Sequence, residues 1–416
     1  MNYNINENTI NEAANQLVGI AKKTPLQFNK RLSTLYNANI YLKREDLQDV
    51  RSYKIRGAYN LMRSLSNLKR KKGVVCASAG NHAQGVAQSA SILHTKAVIF
   101  MPSITPLQKI NKVKQFGQEW IEIKLIGQTY DESSTAAKIF CKKKNMVFVH
   151  PFDNELTISG QATVGKEIIE QSETTVDYII CPIGGGGLIA GVSIYAEKKA
   201  KKCIIIGVEP KGAPSMHESL KQKKIITLKS IDTFVDGAAV QTVGNIPFQI
   251  ASRLVKKIVL SDEGKVCSTM IDLYQNEGII TEPAGALSIS ALDDIKDEIR
   301  GKTVTCVLSG GNNDIMRYPE IMEKSLIYKG LKHYFIINFA QKPGQLKFFV
   351  NSVLGPGDDI ARFEYIKKTF KETGPALIGI ELSKKEGLQP LINKMDDAQI
   401  KYTKIEAEDP LYKFIL

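Results

Sequence analysis

Between residues 74 and 150, short β-branched runs alternate with longer amphipathic segments. Val74 to Ala77, Ala97 to Met101, Trp120 to Leu125 and Met146 to His150 have the length and composition of strands. His82 to Leu93, Lys109 to Phe116 and Asp131 to Lys144 have the periodicity of helices. That alternation predicts βαβ units and a largely parallel sheet. A second series follows, with strands at Tyr178 to Pro182, Ile204 to Glu209 and Val304 to Leu308. Ligands of such sheets bind beyond the carboxyl ends of the strands, so the loops after them are where chemistry is sought. After Pro319 the pattern changes. Strands at Tyr334 to Phe339, near Ala361 to Tyr365, at Ala376 to Leu382 and at Ile400 to Glu406 flank helices at Gln345 to Val353 and Leu388 to Asp396. This order is βαββαβ, ferredoxin-like in topology, and marks residues from about 331 onward as a separate domain.

Charge and cysteine usage narrow the function classes. The 416 residues carry a formal net charge of +13, but the lysine-rich runs (Lys69 to Lys72, Lys142 to Lys144, Lys198 to Lys202) sit at expected helix ends without interleaved aromatics, which does not suit nucleic acid. The uncharged stretch Tyr178 to Ala196 is long enough for a membrane span. It holds Pro182 and five glycines, so it reads as strand, loop and helix. The N-terminus lacks the basic and apolar regions of a secretion signal, and a cytoplasmic protein without membrane partners is expected. None of the six cysteines lies in a CxxC or a Cys/His cluster. No metal site is expected, and Cys76, Cys181, Cys203 and Cys306 read as small buried hydrophobes within strands.

Several motifs remain. Gly160 to Glu167 has P-loop spacing, but Glu167 stands where a Ser or Thr hydroxyl must reach Mg²⁺. Gly185-Gly186-Gly187-Leu188-Ile189-Ala190 follows a strand, opens a helix and is trailed by Glu209, which fits a dinucleotide fingerprint and hence a nicotinamide oxidoreductase. Its physical content is broader: consecutive glycines let backbone N–H groups close around a phosphate at the positive end of a helix. Lys54, at the start of a helical run among Tyr53, Ile55 and Ala58, is a candidate nucleophile or a plain solvated lysine. Ser78-Ala79-Gly80-Asn81-His82 follows a strand and opens a helix, so its N–H groups suit a carboxylate unless it is only a cap. Ser309-Gly310-Gly311-Asn312 ends another strand.

Taken in order, Ser52 to Ala58, Ser78 to His82, Gly184 to Gly187 and Ser309 to Asn312 resemble the fold-type II pyridoxal-phosphate enzymes, and within them the threonine dehydratase (threonine ammonia-lyase) family. The likeness runs from about residue 20 to the end. Gln341 to Leu346, Val353 to Pro356 and Ala376 to Ile380 resemble the single ACT-like regulatory domain of the shorter biosynthetic form. The resemblance implies a catalytic part over 1–330, built from two open α/β subdomains with the smaller (about 45–150) inserted in the larger, and a regulatory domain over 331–416. It implies pyridoxal 5'-phosphate held as a Schiff base by Lys54, with Asn81 on its ring hydroxyl and Ser309 facing its pyridine nitrogen. Gly184, Gly185, Gly186, Gly187 and Leu188 would take its phosphate. The backbone N–H groups of Ser78, Ala79, Gly80, Asn81 and His82 would take the substrate carboxylate. Tyr53 stands where phenylalanine is common in relatives.

The implied reaction is α,β-elimination of L-threonine to 2-oxobutanoate and ammonia, the entry step of isoleucine biosynthesis, with L-serine as a second substrate. Lys54 serves as general base, and either the cofactor phosphate or protonated Lys54 supplies the proton to the leaving hydroxyl. Isoleucine, opposed by valine, is the implied effector, near Pro343, Gly344, Gln345, Leu346, Ile378 and Gly379. A homo-oligomer, tetramer or dimer, is implied too. Rival readings are a serine dehydratase or racemase, the nicotinamide oxidoreductase, and a non-enzymatic amino-acid sensor.

Overall fold

The computed structural model describes residues 3–365, 372–406 and 409–415. They divide into two compact units, residues 1–313 and 314–416.

In the first unit a six-stranded sheet runs in the spatial order Leu26–Phe28, Asn39–Arg44, Thr303–Leu308, Tyr178–Pro182, Ile204–Pro210, Val255–Ser261. Only the first pair is antiparallel. A second, fully parallel sheet has the order Ile121–Leu125, Ala97–Met101, Val74–Ala77, Val147–Phe148. The chain leaves the large sheet after Arg44, builds the small one, and re-enters at Tyr178. Strands Asn39–Arg44 and Tyr178–Pro182 therefore both flank Thr303–Leu308. Each sheet packs a main core of its own: Val74, Cys76, Ile99 and Met101 lie in one, Ile179, Cys181, Ile205 and Val307 in the other, and Val75, Val98 and Phe100 form a further cluster on the other face of the small sheet. The buried thiols of Cys76, Cys181 and Cys306 are pushed well above their ordinary pKa by burial, as inert core residues are.

Val74–Ala77, Ala97–Met101 and Tyr178–Pro182 have the bounds that their periodicity predicts. The strand expected over Met146 to His150 shrinks to Val147–Phe148, because only Val74 and Val75 offer it partners. The uncharged stretch resolves into strand Tyr178–Pro182, a glycine loop and helix Gly187–Lys199. No helix among the described residues is long and apolar enough to cross a membrane.

The second unit holds an antiparallel sheet in the order Asp359–Tyr365, Thr373–Glu381, Lys332–Ala340, Lys401–Ile405, which is the ferredoxin-like order. Phe335, Ile337, Ile378 and Ile380 form its core with Phe349, Leu391 and Met395. The helix expected over Gln345 to Val353 is α-helical to Phe348 and continues as a π turn over Phe349–Val353. The unit also takes in helix Tyr318–Tyr328, ahead of residue 331.

Candidate active site

Lys54 opens the helix Lys54–Arg63. The preceding residues are stitched to the loop after Thr303–Leu308: Tyr53 N–H donates to Ser309 O at 3.2 Å, Gly311 N–H donates to Arg51 O at 2.9 Å, and Ser52 bridges Gly310. Lys54 Nζ donates to Pro151 O at 3.4 Å and lies 5.0 Å from the Tyr53 ring centroid. A Cβ on Gly85 would stand 3.1 Å from the Lys54 carbonyl, so glycine lets helix Asn81–Ile92 pack against this backbone without crowding it.

The glycine run turns from strand Tyr178–Pro182 into helix Gly187–Lys199, with Gly186 at φ +90°. Its outer side is packed solid. A Cβ on Gly185 would meet the Phe152 ring at 2.2 Å, one on Gly187 would meet Phe152 Cα at 2.9 Å, and one on Gly184 would meet Ala238 Cα at 3.1 Å. The backbone N–H groups of Gly184 to Leu188 donate to nothing among the described residues. Consecutive unpaired donors at the start of a thirteen-residue helix fit a phosphate group, as pyridoxal phosphate would present.

The loop after Val74–Ala77 offers a second set of donors. The structure narrows the set of donors expected there. Ser78 N–H is committed to Phe100 O at 3.0 Å and Gly80 N–H to Ser78 Oγ at 3.2 Å, which leaves the N–H groups of Ala79, Asn81 and His82 unpaired among the described residues. His82 is 3% exposed, so it is not a surface residue. Its Nε2–H donates to Val149 O at 2.8 Å, leaving Nδ1 without a partner among the described residues. Burial first, then the Lys54 charge, lowers its pKa to about 3 and keeps the ring neutral.

Asn81 donates one amide hydrogen to Glu282 Oε1 at 2.6 Å and accepts from Asn312 Nδ2 at 2.8 Å, so its second N–H is available to a ligand oxygen. Ser309 is buried, with Oγ 3.4 Å from Ala284 O.

Two features lie outside the sequence-based expectations. Glu282 is buried, and burial first, then Asp236, pushes its pKa up to about 7 against the pull of Asn81, Lys109 and Lys54. A Cβ on Gly310 would stand 2.3 Å from its Oε1. The available signal was a single charge in the otherwise uncharged run Ile279 to Ala286. The second is the segment His150 to Asp153, which joins the parts. Pro151 O meets Lys54, Phe152 backs the glycines, and Asp153 Oδ1 accepts Ile246 N–H at 2.9 Å. His150 Nδ1 accepts Asp153 N–H at 2.9 Å, and its pKa falls to about 4, first through burial.

The rival motifs are absorbed elsewhere. Gly160 to Glu167 lies inside helix Glu155–Gln171, so it forms no loop. The Glu209 carboxylate is buried and accepts Met216 N–H at 2.7 Å and His217 N–H at 2.8 Å, capping the helix Ser215–Lys221 where a dinucleotide fingerprint would have it face a ribose.

In the second unit Pro343 and Gly344 are exposed at a turn, and half-buried Gln345 and exposed Leu346 open the helix that follows. Ile378 is wholly inside the core, and Gly379 lies on the opposite sheet face, where a Cβ would meet Tyr334 Cε1 at 2.7 Å.

Residues 19–310 match the pyridoxal-phosphate dependent enzyme family, and residues 323–415 match the C-terminal regulatory domain of threonine dehydratase. The L-threonine dehydratase biosynthetic IlvA of Halalkalibacterium halodurans is 52% identical over 404 residues, covering 97% of each chain. That of Staphylococcus epidermidis is 54% identical, over 93% of this chain and 92% of its own. Among solved structures, the processed form of threonine deaminase isoform 2 from Solanum lycopersicum is 36% identical with a TM-score of 0.72, over 77% of this chain and 94% of its own. Maize serine racemase is 30% identical with a TM-score of 0.72, over 78% of this chain and 99% of its own. With its lysine, unpaired glycine N–H cradle and C-terminal regulatory module in this order, the chain belongs to the biosynthetic threonine dehydratases of the pyridoxal-phosphate dependent enzyme family.

Proposed function

We propose that the chain converts L-threonine to 2-oxobutanoate and ammonia by α,β-elimination, at the entry to isoleucine biosynthesis. The observation that supports it most directly is Lys54 Nζ held on Pro151 O, one residue from the phenylalanine that backs the unpaired glycine N–H groups. When bound, pyridoxal phosphate supplies an electron sink that acidifies the substrate Cα. The chain does the rest. Lys54 would anchor the cofactor, and its free amine is the base that would take the substrate Cα proton. The N–H groups of Gly184 to Leu188 would hold the phosphate, the free N–H of Asn81 would take the ring hydroxyl, and Ser309 would lie on the ring nitrogen. The N–H groups of Ala79, Asn81 and His82 orient the substrate carboxylate. A serine hydroxyl there, in place of a carboxylate, would bring no negative charge to hold a proton on the ring nitrogen, which suits loss of the β-hydroxyl over transamination.

Serine lacks one methyl of threonine, a difference worth ~1–3 kcal/mol in an apolar pocket, so both react and threonine is preferred. The second unit binds isoleucine near Pro343 to Leu346 and lowers activity, valine opposes it, and the enzyme is a cytoplasmic homo-oligomer. Support for effector control is the match to a regulatory domain and the exposed turn there. The test is 2-oxo acid production from threonine and serine with isoleucine titrated in. Rapid 2-oxobutanoate formation suppressed by isoleucine is expected. Turnover blind to isoleucine would remove the effector, and a cofactor-loaded protein without oxo acid would remove the reaction.

A further inference from the structure

Two residues beyond Lys54, the same helix carries Arg56, which is 1% exposed. Its guanidinium makes two forks. Nε and Nη2 donate to the two oxygens of Glu45, each at 2.8 Å. Nη1 and Nη2 donate to the two oxygens of Glu167 at 2.6 and 2.9 Å. Nη1 also reaches Thr163 Oγ1 at 3.1 Å and Nη2 reaches Lys22 O at 3.2 Å. Lys43, wholly buried, completes the cluster from the strand Asn39–Arg44. Its Nζ donates to Glu167 Oε2 at 2.5 Å, to Thr24 O at 2.6 Å and to Gln171 Oε1 at 3.0 Å. Two cations thus face two carboxylates, away from the site described above.

Stability is a poor reason for such a cluster, since well-packed apolar residues often match or exceed a buried ion network. Bidentate guanidinium pairs instead fix position and angle. What this one fixes is the first turn of the Lys54 helix. It ties that turn to the 3₁₀ turn Glu45–Leu47 and to helix Glu155–Gln171. The two helices touch through glycine: a Cβ on Gly160 would stand 2.5 Å from Arg56 O, and one on Gly57 would stand 2.7 Å from Thr157 O. With the backbones in contact, the remaining freedom is sliding and rotation along the contact, which the two forks of Arg56 remove. Helix Glu155–Gln171 directly follows the His150 to Asp153 segment, whose Pro151 O holds Lys54 Nζ and whose Phe152 backs the glycine cradle.

We propose that Arg56 is a positioning residue whose clamp on Glu45 and Glu167 sets the distance between the Lys54 amine and the glycine cradle. This rests on the reading of Lys54 as the cofactor lysine. Glu167, out of place in a P-loop, is here the carboxylate that receives both Arg56 and Lys43.

The test compares Arg56→Lys, Glu45→Gln and Glu167→Gln with wild type in the full-length protein. Apoprotein is mixed with pyridoxal phosphate and the rate of covalent capture is followed by absorbance, then kcat and KM for threonine are measured per bound cofactor. Lysine keeps the charge but cannot span two carboxylates. The expected result is capture slowed about 10- to 100-fold and kcat lowered by a similar factor, with KM changed less than about threefold, as a misplacement near 1 Å produces. A merely structural role would lower the urea midpoint and leave capture rate and kcat per bound cofactor unchanged, which would overturn the proposal. If Arg56→Lys does not fold, the two glutamine variants decide it by the same criterion: slow capture in either supports the clamp, and wild-type capture in both overturns it. Lys54→Ala, run alongside with borohydride reduction, addresses the underlying reading separately. Label fixed to that variant would overturn the assignment of Lys54, whatever the clamp variants do.

Discussion

The side-chain amide of Asn81 donates to Glu282 Oε1 at 2.6 Å, across 201 positions of sequence. One partner opens a helix of the smaller subdomain and the other precedes a helix that packs under strand Thr303–Leu308 of the larger, so the bond closes the site from both sides. It also couples a group that must be oriented to a group that titrates.

Burial holds the Glu282 carboxyl near pKa 7, against 4.5 for an ordinary glutamate. An ionised carboxylate grips the Asn81 amide about twice as strongly as a neutral acid. We therefore expect kcat/KM to rise about fivefold as pH increases through 7. Glu282→Gln should stay at the low-pH level across the range. A wild-type inflection that persists in the variant would exclude Glu282 as its source. Stability runs the other way. A raised acid pKa means the folded state binds the proton more tightly, so stability is lost as pH climbs from about 4.5 to 7. Above pH 7 the glutamine variant should be more stable, by up to ~3 kcal/mol in urea unfolding.

Gly185→Ala places a methyl 2.2 Å from the Phe152 ring, so either the ring or the cradle must shift. Pyridoxal phosphate affinity should fall about 10- to 100-fold in equilibrium titration, the loss of one or two charge-assisted bonds. Adding Phe152→Leu should recover part of it. No recovery would locate the strain elsewhere.

Lys54→Ala should abolish threonine turnover by more than about 10³-fold. Because Nζ makes one long hydrogen bond among the described residues, to Pro151 O at 3.4 Å, beside its contact with the Tyr53 ring, the urea midpoint should shift by less than about 1 kcal/mol equivalent. A large stability loss would mean that the lysine is structural.

Ser309→Asp would bury a carboxylate beside the Ala284 carbonyl, 3.4 Å from the present Oγ. A carboxylate there would stabilise the protonated form of the bound cofactor's ring nitrogen. Elimination should slow at least about tenfold per bound cofactor. Unchanged turnover with full cofactor occupancy would refute the role given to the hydroxyl.

The second unit has its own core of Phe335, Ile337, Phe349, Ile378 and Met395. A chain ending at Asn313 should keep threonine turnover and lose its response to isoleucine in the oxo-acid assay. A truncated enzyme still inhibited by isoleucine would put the effector site in the first unit.

Local pattern alone determined a good deal of this protein. Strand Val74–Ala77, with its β-branched and apolar residues, and the βαββαβ order beyond Lys332 follow from short-range periodicity, and the order of four small motifs was enough to identify the family. Strand Asn39–Arg44 escaped that periodicity because it buries Lys43, whose charge is matched by Glu167 on a helix 124 positions away. The same reason hid Glu282, Pro151 and Phe152 from view, and it also left undecided whether Glu209 faced a ligand or capped a helix. Periodicity records which face of an element is apolar. It holds no record of which donor meets which acceptor once the chain has folded: the partners of Lys54 and Asn81 lie 97 to 231 residues from them, and those of Arg56 lie 11 to 111. Those meetings, set by sheet order and close glycine contacts, are what only the tertiary structure decided.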